Sequence, residues 1–391
     1  GTDKKVFSRI GSLVGFKHAA GTNLKVVLVA IAFIVSFKTR ADDPQSDQER
    51  LTVQDFAAAA QALKDERNAP LDRYCEEMFP EPAFTPNIRV TLILTGRARF
   101  DDGTFAEGVF EGMEAAARCF GIITAYHTSD ATDEKITALL DADDPPDIVL
   151  SVGFNVQEIA LEVAGMRPDV QFIGIDQAPI NFSVSNYISV SAKDWQVGFL
   201  AGVAAALSSE SKRVGVIAGP TYPPVVTIAD GFEDGVAAGA SDVAVQRIHL
   251  DSFIDPLLGA KTAENFAAQG VDVIFGAAGE TGASAIKTAA AMDLNVIGVD
   301  LDQYYTTFEG GRARGSDRIL TSALKRMDVG TFLSIAAVIY GGVQGGSLTL
   351  NVANGGVAYS DFHDAAITED FKSGLEQARL DLISGAVKTS D

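Results

Sequence analysis

The sequence predicts an α/β protein whose parallel sheets are covered by helices on both faces. From Pro86 onward, short β-branched runs alternate with amphipathic or Ala-rich stretches of helical length. Such alternation is typical of parallel strands joined by helical crossovers. The composition, 47% hydrophobic and 21% charged residues, is sufficient for a large buried core. The pattern indicates about nine or ten strands, which favours two doubly wound lobes over a single sheet.

The first predicted elements are a strand at Ile88–Leu94 and a helix at Phe105–Phe120, which carries apolar residues along one side. A second helix is predicted over residues 155–164. Further strands are predicted at Asp147–Ser151, Gln171–Ile175, Arg213–Ala218, Ala244–Leu250, Val271–Phe275, Asn295–Val299 and Ile319–Leu324. Ligands of such sheets bind beyond the carboxyl ends of the strands, so the loops there are where a site is expected.

Charge divides the chain into two parts. The net charge is −21, but residues 1–41 hold seven of the 31 basic residues and one of the 52 acidic residues. The remaining residues therefore carry 24 basic against 51 acidic side chains, a net charge of −27. Nucleic acid polymers are excluded as partners, because a polyanion needs clustered Lys and Arg.

The basic segment contains an apolar run, Val26–Phe37, between Lys25 and Lys38. A bilayer core of about 30 Å asks for roughly 20 apolar residues, so the run is short for a spanning helix. Residues 1–41 are predicted to be a secretory signal peptide. A retained signal anchor, which would attach the protein to the membrane through Val26–Phe37, is the alternative. Either predicts an exported protein: periplasmic, extracellular, or anchored facing outside the cytoplasm.

Residues 42–85 read as an extension with one or two helices, interrupted by prolines. Its Cys75 is one of two cysteines in the chain; the other is Cys119. In an exported protein the two can form a disulfide that fastens the extension to the body. Two buried or free thiols are the alternative.

Catalytic signatures are missing from the sequence. The four histidines stand apart, and no HExxH, CxxC, GxSxG or GxxxxGK[ST] string occurs. We therefore expect no metal, no cofactor and no enzymatic activity. Acid pairs such as Asp101/Asp102 can act in general acid–base chemistry, but Asp101/Asp102 is more simply a cap of the following helix.

Short motifs at the predicted strand ends occur in a characteristic order. They include Asp102-Gly-Thr-Phe105, Ser151-Val-Gly-Phe154, Pro168 to Asp176, Val296 to Gln303 and Ser322-Ala-Leu-Lys325. In this order and spacing, over residues 88–387, the chain resembles the basic membrane protein family of solute-binding proteins. Members of that family include purine nucleoside receptors of transport systems.

The resemblance implies a periplasmic-binding-protein type 1 fold, in which two lobes are joined by a three-stranded hinge. Residues 86–391 would form this two-lobed domain. Lobe 1 would span about 86–192 and lobe 2 about 193–324, with 325–391 divided between them. The lobes are expected to close over a nucleoside or similar small solute.

Eight residues are candidates for the ligand site. A purine needs rings to stack on and a ribose needs a carboxylate that accepts from its hydroxyls. In the family's motifs, Phe105 matches the stacking ring and Asp300 matches the carboxylate. Lys325 matches a lysine that would donate to the ligand and neutralise Asp300. Phe253 is the second expected stacking ring. The candidate site is completed by Asp102, Phe154, Asp176 and Gly279.

The chain departs from the family at three places. Ala106 follows Phe105 where relatives commonly have Asn, and Ile228 stands where they often carry a ring. The stretch Phe308–Asp317 looks like an insertion and is predicted to be a flexible rim loop.

The predicted function is extracytoplasmic capture of a nucleoside, with purines the favoured class, or of a similar small solute, for an ABC-type transporter. A membrane-tethered sensor that signals to a partner protein on the same scaffold is the alternative. An enzyme acting through Asp300 or Asp102 is the least supported hypothesis, because the sequence offers no activated nucleophile.

Overall fold

The computed structural model describes most of the chain from Thr52 onward. The described residues are 52–61, 70–79, 85, 87–95, 99–129, 136, 138, 145–179 and 184–388. The predicted export segment 1–41 lies outside them. Across these ranges no helix is both long enough and apolar enough to cross a membrane. The same ranges contain no group of three or more His, Cys, Asp or Glu side chains placed to hold a metal ion.

Strands and helices alternate along the described chain. The strands are β1 (Arg89–Thr95), β2 (Ile123–Ser129), β3 (Ile148–Val152), β4 (Gln171–Ile175), β5 (Tyr187–Ala192), β6 (Arg213–Ala218), β7 (Ala244–His249), β8 (Val273–Ala277), β9 (Asn295–Asp300), β10 (Ile319–Lys325), β11 (Gly346–Leu350) and β12 (Val357–Tyr359). The helices are α1 (Val53–Gln61), α2 (Leu71–Met78), α3 (Phe105–Phe120), α4 (Gln157–Met166), α5 (Asp194–Ser208), α6 (Pro223–Gly239), α7 (Pro256–Ala268), α8 (Gly279–Ala291), α9 (Gln303–Thr306), α10 (Met327–Gly341) and α11 (Glu369–Ser384).

Two six-stranded sheets organise these elements into two lobes. The sheet of lobe 1 has the order β11-β5-β4-β3-β1-β2, and the sheet of lobe 2 has the order β12-β10-β9-β8-β6-β7. All neighbouring strands are parallel except β10 and β12. Strands β3, β4 and β8 are buried at every position, and since successive side chains point to opposite faces, both faces of each sheet are covered. The predicted fold class, two doubly wound parallel-sheet lobes, is confirmed.

The chain crosses between the lobes three times. It leaves lobe 1 after β5, returns after β10, and crosses again between β11 and β12. The crossovers are bonded to one another: Lys193 N donates to Leu350 O at 2.8 Å, and Arg326 N donates to Gly356 O at 2.9 Å. These three segments form the hinge that the family resemblance implied.

Helices α5 and α6 of lobe 2 pack with their backbones in contact. Glycines stand four apart on both helices, at Gly198 and Gly202 of α5 and at Gly231 and Gly235 of α6. A Cβ atom on any of the four would enter the contact distance of a backbone carbonyl on the facing helix. Close approach is therefore a requirement of this interface, which explains the glycine spacing.

The extension docks on lobe 1. Val53 and Phe56 of α1 are buried, and Gln54 Nε2 donates to Ser347 O of edge strand β11 at 2.9 Å. Helix α2 is joined to α3 by a disulfide between Cys75 and Cys119, whose Cα atoms lie 5.7 Å apart. The pairing that the sequence left open is therefore present.

An aromatic cluster adds to this attachment of the extension. The ring of Phe79, just after α2, lies 5.2 Å from the ring of Phe120 and 4.7 Å from that of Tyr340. Phe120 in turn stacks on Phe332 of α10 at 5.8 Å. Buried aromatic area of this kind stabilises the docked position of the extension.

Sequence patterns found eight of the strands and missed β2, β5, β11 and β12. Edge strand β2 mixes exposed polar and apolar residues, and β12 has three residues, so neither gives a clear periodic signal. The stretch Phe308–Asp317, predicted to be a rim loop, contains turns that pack on lobe 2, because Phe308 is fully buried in its core.

Candidate functional site

Lys325 is the centre of a buried charge cluster at the hinge. It ends β10, at the point where the chain crosses to lobe 1, and its side chain is only 4% exposed. Its Nζ lies 2.7 Å from Asp176 Oδ1 and 2.8 Å from Asp194 Oδ1. Burial opposes the charge of Lys325, but the surrounding carboxylates Asp176, Asp194 and Asp300 outweigh that effect and raise its pKa well above the usual value.

Two acids of this cluster have the same backbone conformation in the two lobes. Asp176 follows β4 with a φ of 59°, and Asp300 ends β9 with a φ of 66°. This left-handed region is uncommon for residues other than glycine, although Asp tolerates it better than most. The turn directs both carboxyl groups beyond the carboxyl ends of their strands, where the sequence predicted the site.

Asp300 differs from its neighbours because its carboxyl group lacks a hydrogen-bond partner among the described residues. Asp300 is 8% exposed, and Lys325 makes its direct contacts with Asp176 and Asp194 instead. Burial raises the pKa of Asp300 to about 7; Lys325 lowers it, and the acids Asp102, Asp176 and Asp194 add to the rise. An unpartnered carboxyl group on a residue that is so little exposed is an acceptor that a ligand can satisfy.

The raised pKa predicts how Asp300 affects stability. In the unfolded chain an Asp titrates near 3.9, so folding strengthens proton binding at this group. Its contribution to the free energy of unfolding is complete below about pH 4 and is lost as the pH rises through about 7. Urea unfolding at pH 4.5, 6.0 and 7.5 should therefore show wild type losing stability relative to Asp300→Asn as the pH rises. A difference that stays constant or grows in favour of wild type would contradict the raised pKa.

Phe105 and Asp102 lie at the start of α3, facing the charge cluster. The Phe105 ring centroid is 5.8 Å from Lys325 Nζ, a cation–π distance. Asp102 Oδ1 accepts hydrogen bonds from Thr104 N at 2.9 Å and Glu107 N at 3.2 Å. Asp102 is therefore a helix cap, and burial nevertheless raises its pKa. Asp101 is bonded to Arg99 at the surface.

The rings of Phe154 and Phe253 both contact the ring of Tyr222. The Tyr222 ring in lobe 2 lies 4.9 Å from Phe154 of lobe 1 and 6.4 Å from Phe253, on which it stacks. Phe253 also packs against the backbone of Gly219 and of Gly279, which has a φ of 56°. No ring contact joins Phe105 to Phe253 within the described ranges.

The lobes also touch close to Phe105. Thr306 Oγ1 of α9 donates to Gly103 O at 2.7 Å. A Cβ on Gly108 of α3 would lie 3.1 Å from Leu301 Cδ2, so this glycine packs on the residue after Asp300. Contacts between the lobes thus occur both at the aromatic group and beside the charge cluster.

Sequence reasoning missed Asp194, Tyr222 and Thr306 as members of this region. Asp194 follows β5, a strand that the patterns did not reveal, so its position at a strand end was hidden. Tyr222 had a signal, since it lies in the loop after β6, Gly219 to Pro224. Thr306 had none, because only the folding of α9 brings it to lobe 1.

The family described as "ABC transporter substrate-binding protein PnrA-like" matches residues 89–385. The chain belongs to this family. Family members are binding proteins of ABC transporters, so the chain binds a small molecule, acts with a transporter, and is not an enzyme.

Curated relatives agree with this membership. The "ABC transporter nucleoside-binding protein BmpA" of Lactococcus lactis subsp. cremoris is 26% identical over 312 residues, which cover 75% of this chain and 87% of that protein. "Basic membrane protein A" of Borreliella burgdorferi is 27% identical over 252 residues, covering 63% of this chain and 70% of that protein.

Solved structures show the same fold. The crystal structure of ABC transporter system solute-binding proteins from Aeropyrum pernix K1 aligns with a TM-score of 0.66 at 26% identity, over 78% of this chain and 94% of that one. A transcriptional activator of the comK gene from Bacillus halodurans aligns with a TM-score of 0.63 at 19% identity, over 77% and 99%, and shares the fold alone.

The extension of this chain lies outside the family match, which begins at residue 89. Helices α1 and α2 and the half-cystine Cys75 are therefore additions to the part that the family defines. Of the departures from the family pattern, Ala106 is buried in α3 and Ile228 is buried where α6 meets α5. Neither side chain adds a polar group or a ring to the site.

Proposed function

We propose that the protein captures a nucleoside, with purines the favoured class, at the hinge end of the cleft and delivers it to an ABC transporter. The observation that carries this proposal is the carboxyl group of Asp300, a residue only 8% exposed, which has no hydrogen-bond partner among the described residues. Ribose has two neighbouring hydroxyl groups that can donate hydrogen bonds to such a carboxylate. The relative named as nucleoside-binding supports this choice of ligand.

The surrounding groups suit the same ligand. The ammonium group of Lys325, held in place by Asp176 and Asp194, can donate a hydrogen bond to the ligand. Phe105 belongs to lobe 1 and Phe253 to lobe 2, and their rings do not contact each other. This arrangement suits two rings that stack on a base bound between the lobes. Asp102 already accepts two backbone hydrogen bonds, so its part in the site is to fix the start of α3 and hence Phe105.

We also propose that the protein works outside the cytoplasm. The disulfide between Cys75 and Cys119 supports this, because such bonds persist in oxidising compartments. The apolar run Val26–Phe37 would direct export, as a cleaved signal or as an anchor. Family membership favours transport over the tethered sensor, because the family consists of transporter components.

Thermal shift measurements test the proposed ligand class. A ligand that binds only the folded state raises the melting temperature, so the chain should be screened with purine and pyrimidine nucleosides, free bases and sugars. We expect a nucleoside to give the largest rise. A rise with sugars alone, or none with any nucleoside, would contradict the proposed ligand.

Substitutions at the site test the assigned residues. Phe105→Ala and Asp300→Ala should each weaken nucleoside binding by about 1–3 kcal/mol in calorimetry, because a stacking face or a hydroxyl acceptor is lost. Asp242→Ala is the matched control, since this exposed acid precedes β7 and so lies at the amino ends of the strands, away from the carboxyl ends that carry the site. Unchanged affinity in both site variants would remove the assignment.

A further inference from the structure

A hydrogen bond joins the two lobes beside the candidate site. Thr306 Oγ1 of lobe 2 donates to Gly103 O of lobe 1 at 2.7 Å. Gly103 lies between Asp102 and the first turn of α3, with a φ of 73°. A Cβ there would lie 3.4 Å from both Cβ and Oγ1 of Thr306, so the two segments are in direct contact. The bond therefore fastens lobe 2 to the segment that carries Phe105.

Helix α9, which ends at Thr306, is fixed to the sheet of lobe 2 at its first residue. Gln303 N donates to Ser322 Oγ of β10 at 3.0 Å. Gln303 Oε1 accepts from Val299 N of β9 at 2.9 Å. Gln303 is fully buried, so these bonds are shielded from water. The helix therefore moves with lobe 2.

A second set of contacts fixes the direction of α9. Asp302 Oδ1 accepts from Tyr304 N at 3.2 Å, while Asp302 Oδ2 lies 2.7 Å from His363 Nε2. The His363 ring stacks on Tyr304 at 4.1 Å and meets Tyr305 edge to face at 5.1 Å. Tyr304 OH donates to Asp364 at 2.6 Å. His363 thus ties the start of α9 to the segment after β12.

We propose that Thr306 is a latch residue that holds the lobes together over the bound solute, and that Asp302 and His363 are positioning residues that hold α9 where the latch forms. The proposal rests on the proposed binding function, because retention has a meaning only for a bound solute. Opening of the cleft would separate Thr306 Oγ1 from Gly103 O, and both groups would then form hydrogen bonds with water instead. The bond therefore contributes only to the closed arrangement, and its loss lowers the closed fraction.

The latch is tested by the distance between the lobes. Nitroxide labels placed through Glu162→Cys on α4 and Glu264→Cys on α7 would report this distance in pulsed electron resonance, since both positions are exposed. The two native cysteines are paired, so they do not compete for label. Thr306→Val should lower the ratio of closed to open molecules roughly threefold to tenfold, the worth of one hydrogen bond. Thr306→Ser keeps the hydroxyl and should retain the wild-type ratio.

A double-mutant cycle distinguishes the positioning of α9 by His363 from a general loss of stability. His363→Ala should lower the same ratio in the wild-type background and change it no further in the Thr306→Val background, because it acts through the latch. The variant His363→Asn suits the left-handed backbone at this position, with a φ of 45°, and retains a donor for Asp302. It should recover part of the wild-type ratio.

The outcomes distinguish this inference from the proposed function. The distance measurements are made without solute and again with saturating inosine as the probe. Identical distributions for wild type and Thr306→Val in both conditions would overturn the latch, as would equal effects of His363→Ala in both backgrounds. Absence of inosine binding would count against the proposed function, while the comparison without solute still decides the latch.

With inosine bound, Thr306→Val should also raise the dissociation rate constant roughly threefold to tenfold and leave the association rate constant within about twofold. This split distinguishes the latch from the ligand contacts. A slower association with unchanged dissociation would contradict retention by Thr306.

Discussion

Lys325→Met is expected to lower the free energy of unfolding by about 3–5 kcal/mol at pH 7.5, because it leaves buried carboxylates without their cation. Asp176 and Asp194 are each 13% exposed and lie within 2.8 Å of Lys325 Nζ. Without the ammonium group they repel one another and Asp300 in a site that water barely enters. Methionine keeps most of the length and volume of the lysine stem, so the loss is one of charge rather than of packing.

Urea unfolding measures this loss, and pH identifies its cause. The deficit of Lys325→Met should shrink as the pH is lowered toward 4, because protonated carboxyl groups no longer need a cation. Lys287→Met is the matched control: its Nζ lies 3.5 Å from Glu309 at the surface, where a pair contributes about 0–1 kcal/mol. Similar losses in the two variants, or a deficit independent of pH, would show that the cluster is not electrostatically coupled.

Gly202→Ala is expected to destabilise the protein by about 3 kcal/mol, because the added methyl group collides with a backbone carbonyl. The new Cβ would enter the contact distance of Phe232 O on α6, and a carbonyl within a helix has no rotamer by which to move aside. Helices α5 and α6 would have to separate. That separation would open the lobe 2 core around Phe199 and Phe232, which are 3% and 0% exposed.

Gly165→Ala provides the control within the same protein. Gly165 is an exposed position of α4, and a Cβ there meets nothing within 4 Å. Alanine is the better helix former, so this variant should be neutral or more stable by roughly 0.5–1 kcal/mol. Equal melting temperatures for Gly202→Ala and Gly165→Ala would mean that the α5–α6 interface yields more readily than its geometry indicates.

The fold could be predicted from the sequence because its signal is local. Buried parallel strands such as Arg213–Ala218 are continuous apolar runs, and each is followed by a helix within a few residues. Edge strands carry no such run: Ile123–Ser129 pairs on one side only and has to present polar groups to solvent. The residues of this strand therefore show no hydrophobic pattern from which it could be predicted.

Predictions about the site had a different limit. Strand ends indicated that Asp176, Asp300 and Lys325 would lie in one region, and the structure brings them together. Which carboxylate contacts Lys325 depends on sub-ångström placement of residues that are 131 to 149 positions apart, as for Lys325 with Asp194 and Asp176. Sequence patterns carry no such distances, so the expected direct pairing with Asp300 gave way to pairing with the other two acids.

The disulfide determines which lobe is attached to the amino-terminal side of the chain, and therefore which lobe receives a force applied there. Cys75 is bonded to Cys119 in α3, and Phe79 packs on rings that belong to α3 and α10. A pull on the residues before α1 is therefore carried into lobe 1 by a covalent bond and does not pass through the hinge. Lobe 2 has no such attachment within the described chain. If the lobes rotate about the hinge, a protein held by that end would therefore keep lobe 1 in place while lobe 2 moves.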